Sequence, residues 1–434
     1  MSIAFRLLTL LLAALPVLAI LHDSFARDAV GIIAAILLAL AAMTSPSEIT
    51  PTAQLLKRLA LAMLFPIVWM ILQIAPLPVT SLTNPIWSSA AVALNDPSLP
   101  ARVSLDPGST LRGLIVYLNM LALMVATLII TRDKRRAETT LLVLSVMMTF
   151  MATEVLLGQL AGLQGIVPAS DTAAAATYTA ASGFGILLNA ATVLMATERR
   201  RSGGTQRSAA LPFRIVLGLS GIAICGAALW SLAQSRVSVA VAFGFAAMLF
   251  ISTARRLGVR PWISVIVFLF FAMMIAALSM PQLQTDASAG IAGFAASASA
   301  GSVMLARRAL SATPWLGNGV GTFQFFAGIY QDFGTPPIVV PPSTAVAIAT
   351  EWGQPALLLL SGFAMQLFAF TFRGAVRRGR DSFFSSAAAA CVLLAFGEAF
   401  FDPSLWNVVV QAIVAIIVGL GLSQSIGRTS GLDH

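Results

Sequence analysis

Residues 113–157 read GLIVYLNMLALMVATLIITRDKRRAETTLLVLSVMMTFMATEVLL. Two apolar runs, 113–131 and 139–157, flank a short loop that holds Arg132, Lys134, Arg135 and Arg136. An apolar run of roughly 20 residues crosses a ~30 Å hydrocarbon layer as a helix. In lipid every backbone N–H and C=O must be paired within its own segment, so each run is expected to be helical. The alternation of a membrane barrel is absent. Basic residues in short loops stay on the cytoplasmic side, so this hairpin also carries an orientation.

The same pattern repeats outward in both directions. Spans are expected at 5–21, 29–44, 59–76, 113–131, 139–157, 180–196, 213–231, 237–253, 263–280, 354–372, 384–400 and 406–424. With these, the clusters Lys57–Arg58, Arg132–Arg136, Arg199–Arg207, Arg255–Arg260 and Arg373–Arg380, together with Arg428, all fall on one side. A miscount by one span would split them. The reading is an all-α, polytopic helical membrane protein with about 12 transmembrane helices. It forms a single membrane domain, 1–434, with N and C termini cytoplasmic. The first span, with Arg6 and an Ala-rich end, has the look of a signal peptide and equally of an uncleaved first span; retention is expected.

Composition agrees. Only 10% of residues are charged and 58% are hydrophobic, at a mean hydropathy of +0.90, whereas soluble domains are about 25% charged. The net charge of +9 sits in topology-setting loops, so no nucleic acid partner is expected. Cys225 and Cys391 lie inside apolar runs and read as small hydrophobes, not a disulfide. Neither a zinc cluster nor a nucleotide-binding loop is visible, so no metal and no cofactor is expected.

Two long loops then lie outside, 77–112 with Asp96 and Asp106, and 281–353. In the second, residues 285–302 are rich in Ala, Ser and Gly, and 303–313 form a short helix before Pro314. Gly317, Gly319 and Gly321 make a turn; no strand precedes them, so they are no nucleotide fingerprint. Pro336, Pro337, Pro341 and Pro342 fix an extended segment over 335–342.

On this topology Arg27, Arg102, Arg112, Arg236, Arg307 and Arg308 face away from the cytoplasm. Arg236, at the outer mouth of the eighth span, is either an interfacial anchor or a planar fork gripping phosphate. With Arg307 and Arg308 it would make an electropositive pocket suited to a lipid pyrophosphate. Glu154 lies in or near the end of the fifth span, and an acid in hydrocarbon is often functional. Asn119 and Asn189 read as interhelical hydrogen-bond partners. Glu351 begins the tenth span, and Glu398, Asp402 and Asn407 gather at the last outer turn. An acid there either takes a hydroxyl proton or caps a helix. The two histidines, His22 and His434, do not resemble a positioned base.

Five segments taken together resemble the O-antigen ligase and Wzy-type O-antigen or exopolysaccharide polymerase superfamily. Leu72-Gln73-Ile74-Ala75-Pro76-Leu77-Pro78 is similar to its Gln-x-x-Pro-Leu-Pro segment, and Ser104-Leu105-Asp106-Pro107 through Arg112 to the lead-in of the next span. Gln234-Ser235-Arg236 resembles the external Ser-Arg, and 314–323 the Pro-x-x-Gly-x-Gly-x-x-x-Phe run. Phe401-Asp402-Pro403-Ser404-Leu405 resembles the terminal Asp-Phe-x-Leu segment. The resemblance implies metal-independent transfer of undecaprenyl-pyrophosphate-linked glycan at the periplasmic face of the bacterial inner membrane, as a polymerase or a ligase. It implies Arg236 and one of Arg307 and Arg308 as phosphate-binding residues, and envelope polysaccharide assembly proteins as partners. The chain departs from the pattern where relatives carry a histidine before Glu-x-Gly. Here Glu351-Trp352-Gly353 follows Pro341-Pro342-Ser343-Thr344, and Ser343 takes that place as an acceptor-site candidate. Ala180-Ala181-Ser182-Gly183-Phe184-Gly185 replaces an Asn-x-Asn-His-Phe-Ala-like run, and Glu398 stands where some relatives have His. Glu351, Glu398 or Asp402 would then serve as the base. The alternatives are a membrane scaffold or auxiliary subunit, favoured by the lost polar positions, and a secondary transporter, for which no paired internal repeat is seen.

Overall fold

The computed structural model describes residues 2–21, 23–43, 46–78, 80–160, 172–201, 210–232, 235–258, 260, 262–269, 287–295, 299–331, 338, 340–377 and 381–425. His22, His434, Gln234, Arg207, Arg378, Arg380, Arg428, Pro336 and Pro337 lie outside the described residues, as does the span expected at 263–280 beyond a helical segment at 262–269.

The protein is an all-α polytopic membrane protein, with no β-strand among the described residues. Eleven described helices are long and apolar enough to cross a membrane. They are α1 (Ser2–Ile20), α2 (Asp23–Ala42), α3 (Pro46–Ile74), α5 (Pro107–Ile130), α6 (Lys134–Leu160) and α7 (Thr172–Arg201). Next come α8 (Ala210–Ser231), α9 (Ser235–Arg256), α13 (Gln354–Arg377), α14 (Phe383–Phe401) and α15 (Val408–Ser425). Four shorter helices lie between spans: α4 (Ile86–Leu94), α10 (Ala300–Ala312), α11 (Phe323–Ala327) and α12 (Thr344–Glu351). Helix α10 meets the expectation for 303–313. Helices α4 and α12 were not expected.

Three spans form the centre. Buried residues fill 83%, 72% and 78% of the apolar windows of α7, α14 and α15, against 22–44% in the other eight. Lipid tails are as apolar as leucine, so helices in a bilayer associate by close packing of small residues. Helix α14 carries Ser385-Ser386-Ala387-Ala388-Ala389-Ala390 for this purpose. A Cβ on Gly421 of α15 would stand 2.1 Å from the Cβ of Ala388. Buried Asn189 joins α7 to α6: its Oδ1 accepts from Ser145 Oγ at 2.7 Å, and its Nδ2 donates to Thr149 Oγ1 at 3.0 Å. This is the interhelical role expected of it.

Polar contacts gather the helix ends carrying the basic residues at one end of the bundle. Lys134 pairs with Asp381 at 2.7 Å, Arg255 with Glu198 at 2.8 Å, and Arg199 with Glu138. Gln424 Nε2 donates to Thr131 O at 2.7 Å. The Arg373 guanidinium stacks 3.7 Å from the Trp262 ring centroid, which ties residues 262–269 to the same end.

Candidate functional site

At the opposite end, segments far apart in sequence are laced together. Gln73, on the last turn of α3, is buried, and its Nε2 donates to Leu316 O at 2.7 Å and Glu351 O at 2.9 Å. One turn earlier, Trp69 Nε1 donates to Trp352 O at 2.9 Å. Ser104 N reaches Gln73 O at 3.0 Å, and Leu105 N reaches Asn318 O at 2.8 Å. Asn318 donates through N and Nδ2 to Thr350 O, each at 3.1 Å, and Asn84 Nδ2 donates to Asn318 Oδ1 at 3.2 Å. Asp106 caps α5 by accepting from Gly108 N at 2.9 Å, with Pro107 at the first helical position. The Ser109 hydroxyl holds its carboxyl below the ordinary carboxylate value.

The local sequence dictates this knot. Gly317, Gly319 and Gly321 have φ of +78°, +102° and +77°, a region that side chains with a Cβ avoid. A Cβ on Gly317 would also lie 2.1 Å from Glu351 O. Glu351 closes the turn: its Oε2 accepts from Gly321 N at 2.8 Å and its Oε1 from Phe323 N at 2.9 Å. Complete burial pushes its carboxyl up to about 8, against the opposing pull of those amides.

Eight-residue α12 leads away from the knot, and at ~1.5 Å per residue its far end lies roughly 10 Å off. There Ser343 caps the helix, accepting from Val346 N at 3.3 Å. Asp402 O accepts from Thr344 N at 3.0 Å and Thr344 Oγ1 at 3.1 Å. Asp402 Oδ1 accepts from Ser404 N at 2.8 Å, but its Oδ2 is buried without a hydrogen-bond partner. Burial pushes this carboxyl up to about 6, opposed by Ser404. One turn back, both oxygens of fully buried Glu398 are also without a hydrogen-bond partner. Its Oε1 lies against α7, 3.2 Å from where a Cβ on Gly183 would stand.

Arg236 opens α9, and its Nη1 donates to Gly293 O at 3.1 Å and Ala295 O at 2.8 Å. One turn on, Ala240 packs against Gly397, the neighbour of Glu398, so Arg236 belongs to the same α9–α14 contact. Arg307 and Arg308 are exposed on α10, and Arg308 Nη1 donates to Tyr330 O at 3.3 Å. Ala292, Ala306 and Val346 form one small buried cluster, which draws the neighbours of Arg236, Arg307 and Ser343 together.

The site thus gathers Glu398, Asp402 and Ser343, with Arg236 at its edge, and holds Glu351 apart in the knot. Glu154 lies elsewhere, accepting from Tyr178 Oη at 3.4 Å. Sequence alone singles out neither Asn84 nor Trp69, and Asn318 stands in it only inside the 314–323 motif. Gln73 was noticed only as part of a motif, although it is the one amide on the apolar stretch 59–74. Among the described residues no group of three or more His, Cys, Asp or Glu is placed to hold a metal ion. No protein-family model matches the chain, and no curated protein matches it in sequence.

Proposed function

We propose that this protein transfers or polymerises undecaprenyl-pyrophosphate-linked glycan units at the periplasmic face of the bacterial inner membrane. The observation that carries the reading is convergence. The motif segments 72–78, 104–112, 314–323 and 351–353 are dispersed in sequence, yet they share one hydrogen-bonded network at a single end of the bundle. That end lies away from the basic loops, as a donor on the outer leaflet requires.

Trp262 lies at the basic end, while Gly293 and Ala295 meet Arg236 at the other. This supports a twelfth span near 263–280, a periplasmic loop at 281–353 and cytoplasmic termini.

In the reaction, the acceptor hydroxyl attacks the anomeric carbon as the bond from that carbon to the pyrophosphate oxygen breaks. Arg236, with Arg307 or Arg308, stabilises the departing diphosphate, where negative charge grows. The hydroxyl proton passes to the Glu398–Asp402 pair. These acids are favoured over Glu351 because they retain unpaired oxygens, whereas both oxygens of Glu351 accept backbone amides. The raised value of Asp402 suits a base working near neutrality. Ser343, a helix cap here, serves as an orienting element.

Deleting the gene and profiling surface glycans tests the proposal. Single repeat units indicate a polymerase, and bare lipid A core with retained carrier-linked polymer indicates a ligase; unchanged glycans refute both. A second reading, a scaffold or auxiliary subunit, is favoured by the backbone duties of Ser343, Glu351 and Arg236. It predicts that Arg236→Ala leaves function intact and that stable partner proteins copurify.

A further inference from the structure

Helix α4 has no buried residue, although it is built from Ile86, Trp87, Val92, Leu94, three alanines and two serines. Val92 is 83% exposed and Leu94 68%. Its two hydroxyls are satisfied by its own backbone: Ser88 Oγ and Ser89 Oγ both donate to Pro85 O, at 2.7 and 3.5 Å. No ionisable side chain occurs from Leu59 to Asn95. Residues 75–95 lie beyond span α3, and a loop of that length facing water would carry several, since charged residues make up about a quarter of soluble chains. Exposed apolar patches of this kind mark a protein or a membrane contact.

Position decides between the two. Trp87 Nε1 donates to Ser104 O at 3.0 Å, and Ser104 N donates to Gln73 O at 3.0 Å. Helix α4 is therefore moored at the level of the last turn of α3, where that span leaves the hydrocarbon. The exposed stripe of α3, Leu61, Leu64, Val68 and Ile71, is the surface a lipid-crossing helix shows to acyl chains, and it leads up to the same level. Tryptophan is enriched at this depth because its indole is apolar with one polar edge. Charge returns immediately beyond the helix, at Asp96, whose carboxyl Ser98 holds below its ordinary value.

We infer that α4 is an interfacial helix. It lies in the headgroup–acyl boundary of the leaflet opposite the basic loops, and the bilayer is its partner. Through Asn84 and Asn318 it couples that leaflet to the glycine turn of the knot. The inference holds whatever the bundle transfers.

The test uses the full chain with Cys225 and Cys391 replaced by alanine and one new cysteine, V92C, A93C or S98C. Each variant is labelled with an environment-sensitive nitrobenzoxadiazole dye and reconstituted into phosphatidylcholine–phosphatidylglycerol vesicles. At V92C and A93C the emission should be blue-shifted. Quenching by lipids carrying a shallow acyl nitroxide should be several-fold stronger there than at S98C, and quenching by aqueous iodide weaker. If V92C and A93C match S98C in both quenchers, the helix faces water or awaits a protein partner, and the inference is overturned.

Discussion

Glu351 holds a backbone amide on each carboxyl oxygen, and this limits what can replace it. Glutamine supplies one acceptor where two are needed, leaving Gly321 N or Phe323 N buried and unmet. We expect Glu351→Gln to cost about 1–3 kcal/mol, read as a lower melting temperature in detergent. A residue acting only as a base would lose turnover without that loss of stability. Titration adds a sign. The ordinary value is 4.5 and burial raises it to about 8, so between these the folded state keeps a proton that the unfolded chain sheds. This stability is complete below the lower value and fades at about 1.4 kcal/mol per pH unit up to the higher one. Asp402 finishes the same course at about 6. Of the two, only Glu351 still titrates from there to about 8, and Glu351→Gln should flatten the fall of melting temperature over that range. Gly317→Ala offers a sharper contrast. Its Cβ would meet backbone at 2.1 Å with φ at +78°, while a Cβ on Gly328, at φ −59°, meets nothing. The first substitution should lower expression and melting temperature markedly, and Gly328→Ala should leave both unchanged.

Between elements, Asn189 is the polar link from α6 to α7. Hydrogen bonds between helices in membranes contribute about 0.6–2 kcal/mol. Asn189→Ala should therefore produce a modest loss in melting temperature, and a null result would mean that close packing alone holds the pair. The spans themselves were legible in the sequence because apolar length is a local property: the tenth was expected at 354–372, and α13 covers Gln354–Arg377. Helix α4 has nine residues between Pro85 and Pro97, too few for apolar length to mark it. The signal that would have found it was the absence of charge from Leu59 to Asn95. Helix α12 is too short for apolar periodicity to mark it, and it is fixed by Ser343 at one end and by Glu351 at the other.

Across the whole molecule, the division into a basic end and a motif-bearing end followed from arginine spacing. The ion pairs of Lys134, Arg199 and Arg255 give it a physical form. The candidate site was legible only as a set of residues. Which acids keep an unpaired oxygen depends on backbone amides supplied by distant segments, and no spacing rule reports that. Glu351 and Glu398 look alike in sequence and differ here for that reason. The proposed glycan transfer puts Arg236 on the donor diphosphate at the motif-bearing end. The direct measurement is product formation from purified undecaprenyl-pyrophosphate repeat units, with lipid A core supplied in parallel, by the reconstituted protein and its Arg236→Ala variant. Elongated or lipid-A-linked glycan is expected from the unmodified chain, and a loss of at least about 100-fold in the variant, the scale of removing one charge-stabilising donor. Equal product from both proteins, or none from the unmodified chain with either acceptor, would contradict it.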